Sequence, residues 1–405
     1  MSATQLTPPP GVDVPRMDID PFSDDFLLNP YPYHERIREA GPVVWLDMYG
    51  IWAVARHEHV RAGLNDWRNF ISSAGVGLAN FRTEKPFRPP SLILEADPPQ
   101  HTRSRTVLAR ILSPKAMQAV RDEFQKQAEV LIDSLVQKGE IDAIKELGEV
   151  YPLRVFPDAL GLTEEGRENL LLYGNMVFNA FGPRNHVFMD AVQRYEPVRD
   201  WIMEKCQREA LRPGGFGDQI YQAADAGDIT YEEAPMLVRS FLSAGVDTTV
   251  NGIGNAIYCL SRNPDQYDKL VASPTLARGA FEESLRLESS VQTFFRTANV
   301  DLEFAGVPMR ENDKVVFFLA AANRDPRQWK DPEAFDIERK TLGHTAFGSG
   351  IHACVGQMVA RLEGELILTE LARRVKRIEP NGEPRRRLNN TLRALDSLPV
   401  RLIPH

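Results

Sequence analysis

The spacing of apolar and polar positions predicts a mainly helical chain. From residue 99 to residue 212 the apolar residues recur with a helical period, interrupted by prolines and glycines near residues 114, 139, 161, 183 and 214. Two more helices are predicted over residues 231–262, before Pro264, and over residues 357–375. About 30 residues is long for a globular helix, so residues 231–262 are expected to cross the whole molecule.

Short strands and loops are predicted for the remaining sequence. Residues 43–46 and 51–54, on either side of Gly50, are typical of a β-hairpin. Glycine, proline and polar residues cluster in residues 72–90 and 323–345, which predicts a long ordered loop and an irregular meander. Further helices are predicted over residues 31–41, 57–65 and 274–288, and strands over residues 297–300, 303–304 and 315–319.

Composition limits the classes of protein that the chain can belong to. Of its 405 residues, 43% are hydrophobic and 26% are charged, which is typical of a globular protein, and the net charge of −8 argues against a nucleic-acid partner. Residues 1–16 are a polar, proline-rich leader without the pattern of a signal peptide. The longest apolar run, Val315 to Ala322, is far too short to span a membrane. Three scattered cysteines fit a reducing compartment, so a cytoplasmic location is expected.

One of these cysteines has an unusual setting. Cys354 lies in a glycine-rich run, Phe347 to Gly356, directly before the predicted helix 357–375. The start of a helix presents unpaired N–H groups and a positive field, and both favour a thiolate. A thiolate in a loop that lets the backbone approach a flat ligand suits a haem iron. A buried structural cysteine beside a glycine turn is the alternative interpretation.

The run Phe347-Gly348-Ser349-Gly350-Ile351-His352-Ala353-Cys354-Val355-Gly356 resembles the haem-binding signature of the cytochromes P450. The resemblance extends over essentially the whole chain. It implies a mainly α P450 fold with small β-sheets in a single domain, residues 1–405, of the soluble, monomeric bacterial type. Haem b would lie between the long central helix and the helix after the cysteine, with Cys354 as the iron ligand and Phe347 and Gly348 against the haem.

Cationic side chains are expected around the two haem propionates. His101 and Arg105 are four positions apart on one predicted helical face. By resemblance to the family, these two residues, together with Arg296, His352 and Ala244, contact the haem.

The predicted long helix contains Ala244-Gly245-Val246-Asp247-Thr248-Thr249. A mid-helix glycine, and a threonine that can bond back to an earlier carbonyl, open a gap in the helical hydrogen bonds. In P450s this gap lies over the iron and receives oxygen. The resemblance assigns Asp247 and Thr248 as the acid–alcohol pair that delivers protons to bound dioxygen.

Glu283 and Arg286 are three positions apart, which places both on one helical face. This spacing resembles the Glu-x-x-Arg motif of the P450s. With Arg339 in the meander, the resemblance implies a buried structural cluster behind the haem.

The substrate is indicated by a second group of residues. Ser240, Ala244 and Thr248 form one helical stripe, so Ser240 is expected to face the pocket two turns from Thr248. A hydroxyl and an arginine there could bind a carboxylate. The close match to the P450s that oxidise para-substituted benzoates, such as 4-methoxybenzoate, implies O-demethylation to 4-hydroxybenzoate. The corresponding substrate-binding residues are Arg88, Ser91, Phe178, Phe181, Arg239, Ser240, Val291 and Phe294.

The resemblance also implies electron donors, namely a [2Fe–2S] ferredoxin and a FAD-containing, NADH-dependent ferredoxin reductase. Arg103, Arg110 and Lys115 are expected to form a basic patch that binds the acidic ferredoxin. Three alternatives stay open: a P450 for a terpenoid or fatty acid, a non-catalytic haem sensor or carrier, and a peroxide-driven peroxygenase. Asp247-Thr248 argues against the last two.

Overall fold

A computed structural model describes residues 7–8 and 12–405. Most of the predicted leader, residues 1–16, lies outside this part of the chain, and Arg16 already belongs to a strand. The α-helices of the described residues are α1 Asp24–Leu28, α2 Tyr31–Ala40, α3 His57–Asn65, α4 Gln100–Ile111, α5 Pro114–Lys138, α6 Val150–Leu160, α7 Asn169–Asn179, α8 His186–Tyr195, α9 Arg199–Lys205, α10 Phe216–Asp225, α11 Glu233–Ala244, α12 Asp247–Arg262, α13 Pro264–Ala272, α14 Ala277–Glu288, α15 Leu319–Ala322 and α16 Gln357–Arg374.

The strands of the same residues are β1 Arg16–Met17, β2 Val44–Leu46, β3 Ile51–Val54, β4 Phe70–Ile71, β5 Glu140–Asp142, β6 Thr293–Ala298, β7 Leu302–Phe304, β8 Val307–Met309, β9 Lys314–Phe318, β10 Val375–Pro380, β11 Arg385–Arg387, β12 Ala394–Ser397 and β13 Pro399–Pro404. The largest sheet has the order β1-β2-β3-β9-β6-β4, and the smaller sheets are β10-β13-β5, β11-β12 and β7-β8. The mainly helical fold class is therefore confirmed.

Several local predictions are confirmed by these elements. β2 and β3 form the predicted antiparallel hairpin, with Trp45 opposite Trp52. Residues 72–90 and 323–345 are irregular, as their composition predicts. The strand predicted at residues 297–300 is displaced: β6 begins at Thr293, because the apolar residues before Arg296 pair along β9.

The prediction of one helix over residues 231–262 is wrong at its centre. α11 ends at Ala244 and α12 begins at Asp247, so the break falls at Gly245 and Val246. A Cβ atom on Gly245 would lie 2.2 Å from the Phe156 ring, so only glycine lets the two helices approach α6 this closely. Gly245 and Thr248 predict a local gap in the helical hydrogen bonds. This gap is present, and it divides the predicted helix into α11 and α12.

Close packing between helices fixes the position of α16, which follows Cys354. α16 lies against α5 and α14, and α14 also packs on α12. A Cβ atom on Gly364 would lie 2.4 Å from the Phe281 ring of α14, so this glycine allows the two helices to touch. Among the described residues, none of the helices is both long and apolar enough to cross a membrane.

Candidate active site

Cys354 lies in a tight loop between a 3₁₀ turn, Gly350–His352, and the start of α16. Gly348 and Gly350 have φ values of +71° and +70°, which favour glycine, and the Cys354 N–H donates to the carbonyl of Phe347 at 2.8 Å. The thiol faces a cavity of about 230 Å³. The Cys354 side chain is exposed to this cavity. Desolvation acts to raise the pKa of its thiol, while the backbone N–H of Gly356 and the Arg105 charge act to lower it.

Cationic and imidazole groups converge on the same cavity. Arg105, Arg296 and His352 line it, and the His101 ring lies 4.3 Å from the His352 ring, centroid to centroid. Among the described residues, His101 Nε2 and both ring nitrogens of His352 are buried without a hydrogen-bond partner, and Asp97 Oδ1 lies 3.9 Å from His352 Nε2. Burial, with the neighbouring His352 and Arg105 charges, lowers the pKa of His101 to about 4. Burial also lowers the pKa of Arg296 to about 10.

These groups fit a haem. Buried cations and unpartnered N–H groups are costly unless an anion meets them. Two propionates beside Arg296, Arg105 and the histidines would satisfy them, and a thiolate from Cys354 would complete the set. Ala244, Phe347 and Gly348, which the resemblance places against the haem, also line this cavity.

The structure brings together the three members of the predicted Glu–Arg–Arg cluster. Arg286 donates to both oxygens of Glu283, at 2.7 Å and 2.8 Å, and neither side chain is exposed. Arg339 Nε reaches Glu283 Oε1 at 3.0 Å. Both arginines also donate to the carbonyl of Ala334, at 3.1 Å and 3.2 Å. The cluster therefore fastens the meander to α14.

Asp247 and Thr248 follow the break between α11 and α12. Thr248 lines the cavity, and its hydroxyl donates to the carbonyl of Ala244 at 2.8 Å. Asp247 is buried, and its Oδ1 accepts a hydrogen bond of 2.9 Å from Arg387 on β11. Its Oδ2 has no partner among the described residues. The carboxylate is thus held by a residue 140 positions later in the chain.

All eight residues predicted to bind the substrate line the cavity that also contains Cys354. Ser91 Oγ and Ser240 Oγ are 3.2 Å apart, so the loop and α11 meet at this end of the cavity. Arg239 Nη2 donates to the carbonyls of Pro89 and Pro90, at 2.9 Å and 3.3 Å.

Three phenylalanines form the apolar wall of the cavity. The Phe178 and Phe181 rings are 5.7 Å apart and perpendicular, and the Phe181 and Phe294 rings are 5.9 Å apart. The first pair is edge-to-face and the second is tilted by 57°, and such aromatic contacts stabilise the wall. Val291 also lines the cavity.

The sequence did not reveal two charged residues near this site, Glu95 and Arg387. Glu95 accepts hydrogen bonds of 3.0 Å and 3.2 Å from the two Nη atoms of Arg88, and Arg387 holds Asp247. Glu95 has no motif of its own. Three consecutive arginines, 385–387, were a visible signal, but they do not show which of them turns inward.

The expected basic patch is partly neutralised. Arg103 pairs with Glu233, and Arg110 pairs with Asp228, whereas Lys115 is exposed at the start of α5. Arg103 therefore joins α4 to the first residue of α11, and Arg110 joins α4 to the loop before α11. They do not form a surface of free positive charge.

Comparison with known proteins shows the class to which this fold and site belong. The sequence model of the cytochrome P450 family matches residues 158–402. The chain belongs to the cytochrome P450 family. It is a P450 monooxygenase, and its cofactor is haem b.

Individual relatives match almost the whole chain. Cytochrome P450 CYP199A2 of Rhodopseudomonas palustris is 58% identical over 395 residues, which are 97% of this chain and 96% of that protein. Cytochrome P450 107B1 of Saccharopolyspora erythraea is 31% identical, with 95% and 98% of the two chains covered. The solved structure of CYP109Q5 from Chondromyces apiculatus is 29% identical and superimposes with a TM-score of 0.80, over 96% of this chain and 99% of that one.

Proposed function

We propose that this monooxygenase oxidises para-substituted benzoates, with O-demethylation of 4-methoxybenzoate as the reference reaction. One oxygen atom of O2 enters a C–H bond of the methoxy carbon, and the other leaves as water with two electrons and two protons. The resulting hemiacetal separates into 4-hydroxybenzoate and formaldehyde. The electrons come from a [2Fe–2S] ferredoxin and its FAD-containing, NADH-dependent reductase.

The polar end of the cavity is the observation that carries this proposal. Ser91 and Ser240 place two hydroxyl groups 3.2 Å apart, and Arg88 and Arg239 line the same cavity. Hydroxyl and guanidinium donors together suit a carboxylate, because hydrogen bonds to charged acceptors are the strong ones. Cys354 and Thr248 line this cavity as well.

The apolar wall supports a flat aromatic substrate. Phe181 packs against both Phe178 and Phe294, so these rings offer an apolar surface against which an aromatic ring can pack. Holding one end of a rigid ring decides which carbon lies near the oxidising centre. The para substituent is therefore the group that we expect to react.

When bound, the haem supplies the oxidising chemistry, with Cys354 as its proposed ligand. We assign the propionates to His101, Arg105, Arg296 and His352. Thr248 Oγ1 is the proposed hydroxyl that passes protons into the cavity, and Asp247 is the proposed carboxylate behind it. Asp247 is suited to that role because Oδ2 has no partner within the described part of the chain, while Arg387 fixes Oδ1.

Optical titration of the purified ferric holoprotein tests the proposal. We expect 4-methoxybenzoate to shift the haem absorption toward the high-spin form, and its neutral methyl ester to bind at least about 10-fold more weakly. With the ferredoxin, the reductase and NADH, the acid should yield 4-hydroxybenzoate and formaldehyde in equal amounts. Equal affinity for acid and ester would rule out a carboxylate site.

A further inference from the structure

Two arginines line the substrate end of the cavity, but their surroundings differ. Arg88 makes a two-pronged ion pair with Glu95, whose side chain is 2% exposed. Arg239 instead donates to the backbone carbonyls of Pro89 and Pro90. Within the described residues, it has no carboxylate within 4 Å. Only one of the two positive charges is therefore matched by a negative one.

Glu95 also determines the shape of this end of the cavity. Besides Arg88, its carboxylate accepts a 2.8 Å hydrogen bond from the backbone N–H of Ser91. The Ser91 hydroxyl in turn meets Ser240 Oγ. One buried carboxylate thus positions both an arginine and a serine of the proposed substrate site.

Arg88 forms part of the wall between two cavities. Arg88 and Phe181 line both the main cavity and a smaller one of about 180 Å³, and Glu95 lines the smaller one. The Arg88 guanidinium also lies 5.6 Å from the Phe181 ring centroid. Because buried ion pairs lose most of their stabilising value when one partner leaves, Arg88 is expected to stay with Glu95 when a substrate enters.

Two ionisable neighbours of Arg239 are uncharged at physiological pH. Burial raises the pKa of Tyr173 to about 12, although the Arg239 and Arg88 charges act in the opposite direction. Burial likewise raises the pKa of Cys206 to about 12, with Arg239 again opposing it. Both neighbours are neutral at physiological pH, so neither cancels the charge of Arg239.

We propose that Arg88 and Glu95 form an internally neutral positioning pair, and that Arg239 supplies the single net positive charge that selects a monoanionic carboxylate. This inference rests on the proposed function and refines it. Arg88 then contributes hydrogen bonds and shape, and Glu95 is a positioning residue that touches no substrate. The charges of Arg88, Glu95 and Arg239 sum to +1, which matches a benzoate monoanion.

A set of variants separates charge from position. The measured quantity is the ratio of ester to acid dissociation constants, obtained by optical titration of 4-methoxybenzoate and its methyl ester. Carbon monoxide difference spectra of each variant show that haem is bound. Arg88→Gln leaves Glu95 unpaired in the wall, so the ratio should fall about 10-fold or more. The double variant Arg88→Gln/Glu95→Gln removes both charges, so the ratio should return to within about 3-fold of the wild type.

Arg239 is tested in the same way. Arg239→Gln should lower the ratio about 10-fold by weakening the acid and sparing the ester, and Arg239→Lys should restore it. An equal loss for acid and ester in Arg239→Gln would show a merely structural role and overturn the inference. The inference would also be overturned if the ester-to-acid ratio of Arg88→Gln/Glu95→Gln stayed as low as that of Arg88→Gln. A wild-type ratio near 1 would instead refute the proposed function itself.

Discussion

The ion pair between Arg387 and Asp247 makes a quantitative prediction. The two atoms in contact are 2.9 Å apart, and the exposed fractions of the side chains are 26% for Arg387 and 0% for Asp247. Arg387→Gln leaves the carboxylate buried without its cation, which typically costs about 3 to 5 kcal/mol. Because Arg387 is partly in contact with solvent, we expect a loss of about 3 kcal/mol.

This loss converts into a change in melting temperature. An unfolding entropy of about 2.1 cal/mol/K per residue gives roughly 0.85 kcal/mol/K for 405 residues. A loss of about 3 kcal/mol then lowers Tm by about 3 to 4 °C. Circular dichroism of the holoprotein at a fixed heating rate measures this shift.

Arg385 provides a matched control two positions earlier on β11. It pairs with Asp396, but the side chains are 71% and 43% exposed, so Arg385→Gln should cost less than about 1 kcal/mol. Since Asp247 is proposed to take part in proton delivery, the amount of 4-hydroxybenzoate formed per NADH consumed should fall in Arg387→Gln. It should stay unchanged in Arg385→Gln. Equal Tm shifts in the two variants would refute the claim that burial makes the Arg387 pair strong.

Two further predictions concern a glycine and a buried lysine. Gly245→Ala should lower the free energy of unfolding by about 1 to 3 kcal/mol and weaken substrate binding, because its Cβ would meet the Phe156 ring. Gly252→Ala in α12 is the control for thermal melting, since its Cβ would lie 3.3 Å from the nearest atom, in the Phe281 ring. Equal effects of the two variants would contradict the steric argument. Burial lowers the pKa of Lys314 from 10.5 to about 7. Between about pH 7 and 10.5 the unfolded chain therefore holds a proton that the folded chain lacks. The free energy of unfolding should rise with pH across this range by up to about 5 kcal/mol. Lys314→Met should flatten the dependence of Tm on pH between 7 and 9.5, whereas Lys269→Met, at the surface, should not; an unchanged slope in Lys314→Met would show that Lys314 keeps its proton.

Features encoded by neighbouring residues could be predicted from the sequence. The Cys354 loop, the Glu283–Arg286 spacing and the β2–β3 hairpin each depend on contacts within about ten residues, so their geometry follows from turn and helix rules. The resemblance to the P450s extended this to Arg339, which lies 56 positions from Glu283 and still reaches it. The residues predicted to bind the substrate all line one cavity, and their role in binding stays a prediction.

The pairing of charges was decided by the tertiary structure. Sequence position does not show that Glu95 neutralises Arg88 while Arg239 meets no carboxylate among the described residues. Nor does it show that Arg387 turns inward and Arg385 outward. The close approach of Phe156, a residue of another helix, to Gly245 is likewise set by the folded chain. The sequence by itself determined the fold class, the family and the chemical groups of the site, because these follow from local patterns and motifs. Which of those groups are charged pairs, and which are left to meet a substrate, depends on burial and on distances between remote segments that only the folded chain sets.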